Sequence, residues 1–262
     1  MSRNKLLVLS ALAALAVACG GGKQEATSTT GESSPSGSTP AAPTKAVDTA
    51  NAGTVNGTAT YNGPSTDTPI AMNADPVCAG LHKEPVTTGK LVANGGKLAN
   101  VFVYVKTGLE GKSFPAPTAK AEINQEGCLY HPRIQGIQVG QTLVIKNSDP
   151  TLHNIHALPT KNTEFNQGQP FKGMQFEKTF SKPEVMVHFK CDVHPWMSAY
   201  MGVLDNPYFA VTKEDGTFTI PKLPPGKYTL EAWHETLGTM DQDVTVAPNG
   251  TVTANFDFKP KA

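Results

Sequence analysis

The stretch from Phe189 to Met197 constrains this chain most, because it places three different metal donors on one short segment. A thiolate, an imidazole and a thioether follow one another as Cys191, His194 and Met197, with the spacing Cys-x2-His-x2-Met. A site with one Cys, two His and a weak axial thioether is typical of electron-transfer copper. The second His must come from elsewhere in the chain. The fold must therefore bring two distant segments together.

The segment 147–154 supplies that histidine: it begins where a predicted strand ends, at Asn147, and it contains His153. Together the segments 147–154 and 189–197 resemble the type 1 copper site of cupredoxins, and the short ligand loop is most similar to that of amicyanins. The resemblance implies one copper ion with four ligands: His153, Cys191, His194 and Met197.

The same resemblance assigns roles to the neighbours of the ligands. Asn154 would donate its backbone N–H to the sulfur of Cys191, and Asn147 would lie with it in the surrounding shell. Phe189, Pro195 and Trp196 would form an apolar collar that excludes water. His194 would reach an apolar surface patch and act as the electron port.

Two alternatives to this ligand set stay open. His156 lies three residues after His153 and could replace it, although alternation along a strand puts the two side chains on opposite faces. Met201 competes with Met197 as the axial ligand, and Met197 fits the register of the loop better. Zinc is disfavoured because Met is a poor zinc ligand and the cluster holds only one Cys.

The cysteine count agrees with a free metal-binding thiolate. Three cysteines follow Cys19, so one must remain single, and a Cys78–Cys128 disulfide would leave Cys191 free for the metal. No Cys-x-x-Cys-His is present, which excludes covalent haem attachment of that type.

The N-terminus is predicted to be an export signal, residues 1–18. Arg3 and Lys5 precede an apolar run that is too short to span a membrane. The residues before Cys19 resemble a bacterial lipobox, with Ala16 where Leu is preferred. The resemblance to bacterial lipoproteins implies lipidation of Cys19 and attachment to the cell envelope, at the periplasmic face of the outer membrane.

Residues 19–53 are predicted to be a disordered linker. The segment 20–53 is dominated by Ser, Thr, Gly, Pro and Ala, and Val47 is its one sizeable apolar residue. Such a chain cannot bury enough surface to offset the entropy of ordering it. A flexible tether of this length reaches roughly 30 Å root-mean-square.

The remainder is predicted to be all-β, with a Greek-key cupredoxin-like β-sandwich at 54–206. The chain contains 24 Gly and 21 Pro, and most of its apolar segments are short. Strands are expected at 54–61, 98–106, 139–147, 176–180, 184–191 and 201–204.

Residues 207–262 resemble the carboxypeptidase regulatory-like (transthyretin-like) β-sandwich module. The resemblance rests on an Asp-Gly-x-Phe motif at 215–218 and a Leu-Pro-Pro-Gly-x-Tyr motif at 223–228. The first strands of such a module are missing from this segment. Two segments within 53–108 have the expected pattern, so the two sandwiches are expected to share N-terminal strands or to divide near residue 206.

Charge and motifs narrow the function to two classes. Removing the two basic leader residues from 22 leaves 20 basic against 22 acidic residues, a net charge of −2, which does not suggest nucleic acid binding. No second histidine-rich cluster and no nucleophile–base set indicates an enzyme. The expected function is a membrane-tethered carrier of single electrons between exported redox proteins, such as a c-type cytochrome or a membrane oxidoreductase. The alternative is a surface-binding or structural β-module in which copper is stored or structural.

Overall fold

A computed structural model describes residues 45–64 and 67–260. The predicted signal peptide, Cys19 and the linker up to residue 44 lie outside the described residues. Within the described ranges, no helix has the length and apolarity needed to cross a membrane.

The described residues form a protein built almost entirely of strands. A 3-10 turn (Met72–Ala74) precedes the short helix α1 (Pro76–Gly80). The strands are β1 (Lys45–Ala46), β2 (Gly53–Tyr61), β3 (Ala93–Asn94), β4 (Lys97–Leu98), β5 (Phe102–Thr107), β6 (Lys112–Ser113), β7 (Ala121–Glu126), β8 (Leu129–His131), β9 (Ile134–Gln138) and β10 (Leu143–Asn147). They continue with β11 (His153–Leu158), β12 (Phe165–Gln169), β13 (Gln175–Lys178), β14 (Glu184–Lys190), β15 (Ser198–Leu204), β16 (Phe209–Val211), β17 (Thr217–Leu223), β18 (Gly226–His234), β19 (Gly238–Val246) and β20 (Thr251–Phe258). The all-β prediction is confirmed.

Strands β7 to β15 form one β-sandwich, here called the inserted sandwich (residues 121–204). One sheet has the order β13-β10-β7-β8 and the other β12-β11-β14-β15-β9. Burial alternates along β10, so Leu143 and Ile145 point inward, as expected for a strand with one face on a core. They meet Ile155 and Phe189 of the facing sheet in one apolar cluster.

The remaining long strands form the terminal sandwich, which consists of β2–β5 and β16–β20. Its sheets have the orders β16-β5-β18-β19 and β17-β2-β4-β3, and β20 runs parallel to β2. Its own core contains Val55, Leu98, Leu230 and Phe256. The two sandwiches therefore bury separate cores.

The chain begins the terminal sandwich, leaves it after β5, builds the inserted sandwich and returns at β16. Strand β16 pairs antiparallel with β5, with Phe209 opposite Tyr104. Residues 53–61 and 102–107 complete the sheets of the C-terminal module. The chain therefore does not divide once, at residue 206; the inserted sandwich interrupts the terminal sandwich. This is the shared-strand arrangement rather than a sandwich that runs from 54 to 206.

Phe102 fixes the contact between the two sandwiches. It lies on the face of β5 that points away from the terminal core and joins Ile134 and Leu204 in a third cluster. Gly136 and Gly202 are opposite each other in register, and a Cβ at either would approach the Phe102 ring to 2.7 Å or less. These glycines are thus required for the ring to lie flat against the inserted sandwich. Both faces of β5 are buried for this reason.

A cap segment (residues 67–92) connects β2 to β3 and extends over the inserted sandwich. Its helix α1 carries Cys78, which forms a disulfide with Cys128 between β7 and β8. Met72 of the same segment packs into the core of the inserted sandwich. The predicted disulfide is present.

Some local predictions differ from the structure. Residues 45–46 of the predicted linker pair with β6 instead of extending freely, and Gly53 already belongs to β2. The expected strand at 98–106 is interrupted at Asn100, which has a positive φ of 61°. Strands β7, β8, β9, β11 and β12 were not predicted.

Candidate metal centre

Three donor atoms converge at one end of the inserted sandwich. The sulfur of Cys191 and one ring nitrogen each of His153 and His194 lie within 4.8 Å of one another, and all three residues are buried. These are three of the four ligands expected from the sequence. His153 comes from β11, whereas Cys191 and His194 share the loop between β14 and β15.

His153 is the first residue of β11 and is fully buried on its inner face. Its Nδ1 lies 2.9 Å from Nδ1 of His194, and its Nε2 lies 2.9 Å from a carboxylate oxygen of Asp149. Strand β11 pairs with β14, with His156 opposite Lys190. This pairing brings His153 beside Cys191, the next residue after β14.

The loop between β14 and β15 carries the other donors. The N–H of Met197 donates to the carbonyl of His194 at 2.9 Å, and the N–H of Cys191 donates to the carbonyl of Met197 at 3.3 Å. The N–H of His194 also points at the Cys191 sulfur, 3.4 Å away. The loop is therefore closed by its own backbone, which holds the thiolate and the imidazole on the same side.

Met197 and Met201 are both fully buried in the cluster that contains Cys191. Met197 ends the closed ligand loop, whereas Met201 lies in the middle of β15 opposite Val187. Which of the two methionines is the axial ligand stays a prediction. Met197 is nearer than Met201 to Cys191 and His194 along the sequence.

Asn154 ties the two ligand segments together. Its side-chain oxygen accepts from the N–H of Asp192 at 2.7 Å and from the thiol of Cys191 at 3.3 Å. Its backbone N–H is also directed at the Cys191 sulfur. Asn147 acts at a greater distance, because its side chain donates to the carbonyls of Thr151 and Gln169 and so shapes the turn before His153.

The surroundings favour an ionised Cys191. Burial would raise the pKa of its thiol, but the adjacent His153 ring and the N–H groups of Asn154, His194 and Val193 lower it below its usual value. Burial would likewise lower the pKa of His153, but Asp149 and the Cys191 sulfur raise it.

This donor set fits a copper ion. A carboxylate only accepts hydrogen bonds, so the nitrogen of His153 that faces Asp149 carries a hydrogen and Nδ1 offers a lone pair. His194 likewise carries its hydrogen on Nε2, which lies 2.9 Å from a carboxylate oxygen of Asp75, and its Nδ1 offers a lone pair. Two imidazole lone pairs and a buried thiolate that face one another are stabilised by a soft cation. The residues present therefore suit the expected metal.

The predicted exposure of His194 is wrong. Its side chain is only 2% exposed, because the cap segment covers its outer edge with Asp75 and the disulfide. The sulfur of Cys78 lies 3.6 Å from Nε2. On its other side, the ring contacts Trp196, whose indole N–H donates to the carbonyl of Cys128. Of the expected apolar collar, Phe189 is buried in the sandwich core, Trp196 is half-buried and Pro195 is exposed.

His156 lies outside the donor cluster. It is on the outer face of β11, where Nδ1 lies 3.1 Å from Asp192 and Nε2 lies 2.8 Å from Glu164. The alternation along the strand therefore separates it from His153. The remaining histidines, His82, His131, His188 and His234, bond to backbone or hydroxyl groups away from the cluster.

Sequence patterns did not single out Asp75 or Asp149 as partners of the ligands. Asp149 precedes His153 by four residues and could have been suspected from that proximity. Asp75 lies 119 residues before His194, and no spacing rule connects them.

Residues 204–259 match the family of carboxypeptidase regulatory-like domains. The C-terminal part of this chain is thus similar to such domains. Its motifs at 215–218 and 223–228 fall on the turn before β17 and on the β17–β18 connection, where Tyr228 donates to the carbonyl of Pro224. No curated protein matches the chain.

Among solved structures, the chain is similar to copper proteins. A purple cupredoxin from Nitrosopumilus maritimus is 25% identical, with 32% of this chain and 99% of that chain covered and a TM-score of 0.28. The Cu(I) form of an amicyanin variant is 18% identical, with 38% and 97% covered and a TM-score of 0.29.

A copper-containing nitrite reductase from Thermus scotoductus is 18% identical. The alignment covers 57% of this chain but only 28% of the reductase, with a TM-score of 0.32. The superpositions are weak in all three cases. The donor atoms of this chain, and not these superpositions, indicate copper.

Proposed function

We propose that this chain is a type 1 copper protein that carries single electrons and is not itself an enzyme. The observation that carries the proposal is the convergence of the His153 and His194 nitrogens on the buried Cys191 sulfur. Met197 would complete the set as a weak axial ligand. Copper bound there would supply a one-electron Cu(II)/Cu(I) couple.

In this function, the protein would hold the copper ligands in one geometry for both Cu(II) and Cu(I). His153 is fixed by β11, and Cys191 and His194 are fixed by a loop that its own backbone closes. Burial of all three excludes water, which would otherwise add hard ligands to Cu(II). A rigid, dry site of this kind favours rapid electron exchange over substrate binding.

Exposed apolar residues close to the donors in the chain support a docking surface for a partner. Seven large apolar residues are exposed within the described ranges; of these, Val77 lies in α1, Leu152 directly precedes His153, and Val193 lies between Cys191 and His194. An apolar surface of this type suits brief contacts with another redox protein. An exported c-type cytochrome or a membrane oxidoreductase is the proposed partner class.

The location is proposed from the N-terminal residues. Lipidation of Cys19 would hold the protein at the cell envelope, at the periplasmic face of the outer membrane, and residues 20–44 would act as the tether. With Cys19→Ala, the protein should move from the membrane to the soluble fraction. Unchanged membrane partition of that variant would contradict the anchor.

The competing proposal is that copper is stored or structural while the regulatory-like domain binds a surface polymer. The closed cap over His194 supports it, because no ligand edge is exposed to a partner. Voltammetry of the copper-loaded protein separates the two. A carrier gives a reversible one-electron wave and reduces an oxidised c-type cytochrome. A stored or structural ion gives neither, and that result would overturn the carrier proposal.

A further inference from the structure

Two carboxylates outside the ligand loop contact the outer nitrogens of the two ligand histidines. We infer that Asp75 and Asp149 are positioning residues, which fix the ring nitrogen that each histidine directs at the metal and thereby strengthen copper binding. This inference deepens the proposed copper function and rests on it.

Asp149 connects His153 to the β7–β8 turn. One of its oxygens accepts from the N–H of Gly127 at 2.8 Å, and the other accepts from the N–H of Cys128 at 2.7 Å and contacts Nε2 of His153 at 2.9 Å. The carboxylate is nearly inaccessible to solvent, at 3% exposed. The three contacts hold the carboxylate in one orientation against Nε2 of His153.

Asp75 does the same for His194 from the cap segment. One oxygen accepts from the N–H groups of Val77 and Cys78 at the start of α1, at 2.8 and 3.1 Å. The other oxygen lies 2.9 Å from Nε2 of His194 and 3.4 Å from the hydroxyl of Thr151, which donates to it.

The chemical effect follows from the acceptor-only nature of a carboxylate. Each Nε2 must carry the hydrogen, which leaves each Nδ1 with its lone pair directed inward. A carboxylate on the far side of an imidazole also makes the ring a stronger donor to a metal, and loss of such a partner typically lowers metal affinity by 10- to 100-fold.

The disulfide holds both carboxylates in place. Asp75 binds the N–H of Cys78, and Asp149 binds the N–H of Cys128, so the two aspartates flank the same covalent bridge. Through Cys78, the metal site is thereby linked to the cap segment, which connects β2 to β3 of the terminal sandwich. The cap segment acts on the metal site through Asp75, although the proposed ligands all lie on the inserted sandwich.

The substitution Asp75→Asn separates the effect of Asp75 on the His194 ring from its role as the N-cap of α1. Asn is as good an N-cap as Asp, so Asp75→Asn keeps an oxygen for the N–H groups of α1. Its NH2 group then faces Nε2 of His194 and donates to it. The imidazole must accept at Nε2 and carry its hydrogen on Nδ1, the nitrogen that should bind the metal.

The test compares Asp75→Asn and Asp149→Asn with Glu164→Gln, in the full-length protein. Glu164 forms the same kind of pair, 2.8 Å from Nε2 of His156, but His156 is not in the donor cluster. Nitrogen-15 NMR of the metal-free proteins reports which ring nitrogen carries the hydrogen. Competition with a chelator measures the affinity for Cu(II).

We expect Asp75→Asn to move the hydrogen of His194 to Nδ1 and to lower Cu(II) affinity by about 10- to 100-fold. Asp149→Asn should lower the affinity similarly, and Glu164→Gln should leave both ligand tautomers and the affinity unchanged. If Asp149→Asn does not fold, Asp75→Asn decides alone, because its cap is retained.

An unchanged His194 tautomer together with wild-type Cu(II) affinity in Asp75→Asn would overturn the inference while leaving the copper function intact. Failure of the wild-type protein to bind copper would instead overturn the proposed function. The NMR result on the metal-free protein would still decide whether Asp75 sets the tautomer.

Discussion

At the scale of single residues, the candidate site combines donors that are close in the sequence with contacts that join distant segments. Cys191, His194 and Met197 are recognisable because their spacing is local, and His153 is recognisable because it follows a strand. Asp75 depends on a contact across the molecule with His194. Local spacing carries no information about such a contact. For the same reason, the burial of His194 could not be foreseen.

The axial ligand gives a prediction at this scale. Met197→Leu should keep the protein folded, because exchange of Met for Leu in a core usually costs less than about 1.5 kcal/mol. It should raise the reduction potential of the copper-loaded protein, because the weak thioether favours Cu(II) more than an alkyl group does. Voltammetry measures this. Met201→Leu is the control, and a larger shift in the control would assign Met201 as the ligand.

Glu184 gives a second prediction, on pH and stability. This buried carboxylate accepts from the N–H groups of Thr160, Lys161 and Asn162, two of them at 2.9 and 3.2 Å. Burial would raise its pKa, but these bonds lower it below the ordinary value. A depressed folded-state pKa stabilises the protein above the unfolded pKa, and this contribution is lost as the pH falls through the folded value.

Glu184→Gln should therefore lower the free energy of unfolding by about 1–3 kcal/mol at neutral pH, because the NH2 group cannot accept these bonds. The difference from wild type should shrink as the pH falls below roughly 4. Urea unfolding at several pH values measures both effects. Glu177→Gln, at an exposed position, should change little; a pH-independent difference for Glu184→Gln would contradict the assigned role.

At the scale of elements, alternation decides which strands the sequence reveals. Strands β2, β10 and β14 alternate or are strongly apolar and were predicted near their observed positions. Strands β7 and β9 read Ala-Glu-Ile-Asn-Gln-Glu and Ile-Gln-Gly-Ile-Gln, and their polar residues weaken the pattern. Gln125 is nonetheless buried and donates to Gln169, so a core position there is polar.

The disulfide supplies the prediction for elements. It closes a loop with a sequence separation of 50 residues, which should contribute about 4 kcal/mol in the chain-entropy model. The paired change Cys78→Ser and Cys128→Ser should lower the free energy of unfolding by about that amount and should loosen α1 over His194. Urea unfolding measures the first effect. Recovery of a peptide that links Cys191 to either partner, without prior reduction, would contradict the assignment of Cys191 as the free thiol.

At the scale of the whole molecule, the insertion was the feature hardest to predict. The motifs at 215–228 identify the C-terminal module, but the pairing of β5 with β16 and β18 joins residues more than 100 positions apart. The sequence could suggest that residues 53–108 supply the missing strands. It could not show that the entire inserted sandwich lies between two neighbouring strands of one sheet.

Arg133 and Glu235 test how the sandwiches are joined. Arg133 leads into β9, and Glu235 follows β18; their two bonds measure 2.6 and 2.7 Å, with side chains 12% and 5% exposed. Removal of one partner from such a pair leaves a buried charge, so Glu235→Gln should lower the free energy of unfolding by about 3 kcal/mol. Glu177→Gln breaks the exposed pair with Lys120 and should cost less than about 1 kcal/mol. Equal effects in thermal unfolding would contradict a joining role for Arg133 and Glu235.

The visible spectrum of the copper-loaded protein tests the central claim most directly. A thiolate bound to Cu(II) with two imidazoles gives an intense visible charge-transfer band. We predict that band for the wild-type protein and for His156→Ala, and its loss in Cys191→Ser and His153→Ala. A wild-type protein without the band, or a Cys191→Ser protein that keeps it, would contradict the copper centre built on Cys191.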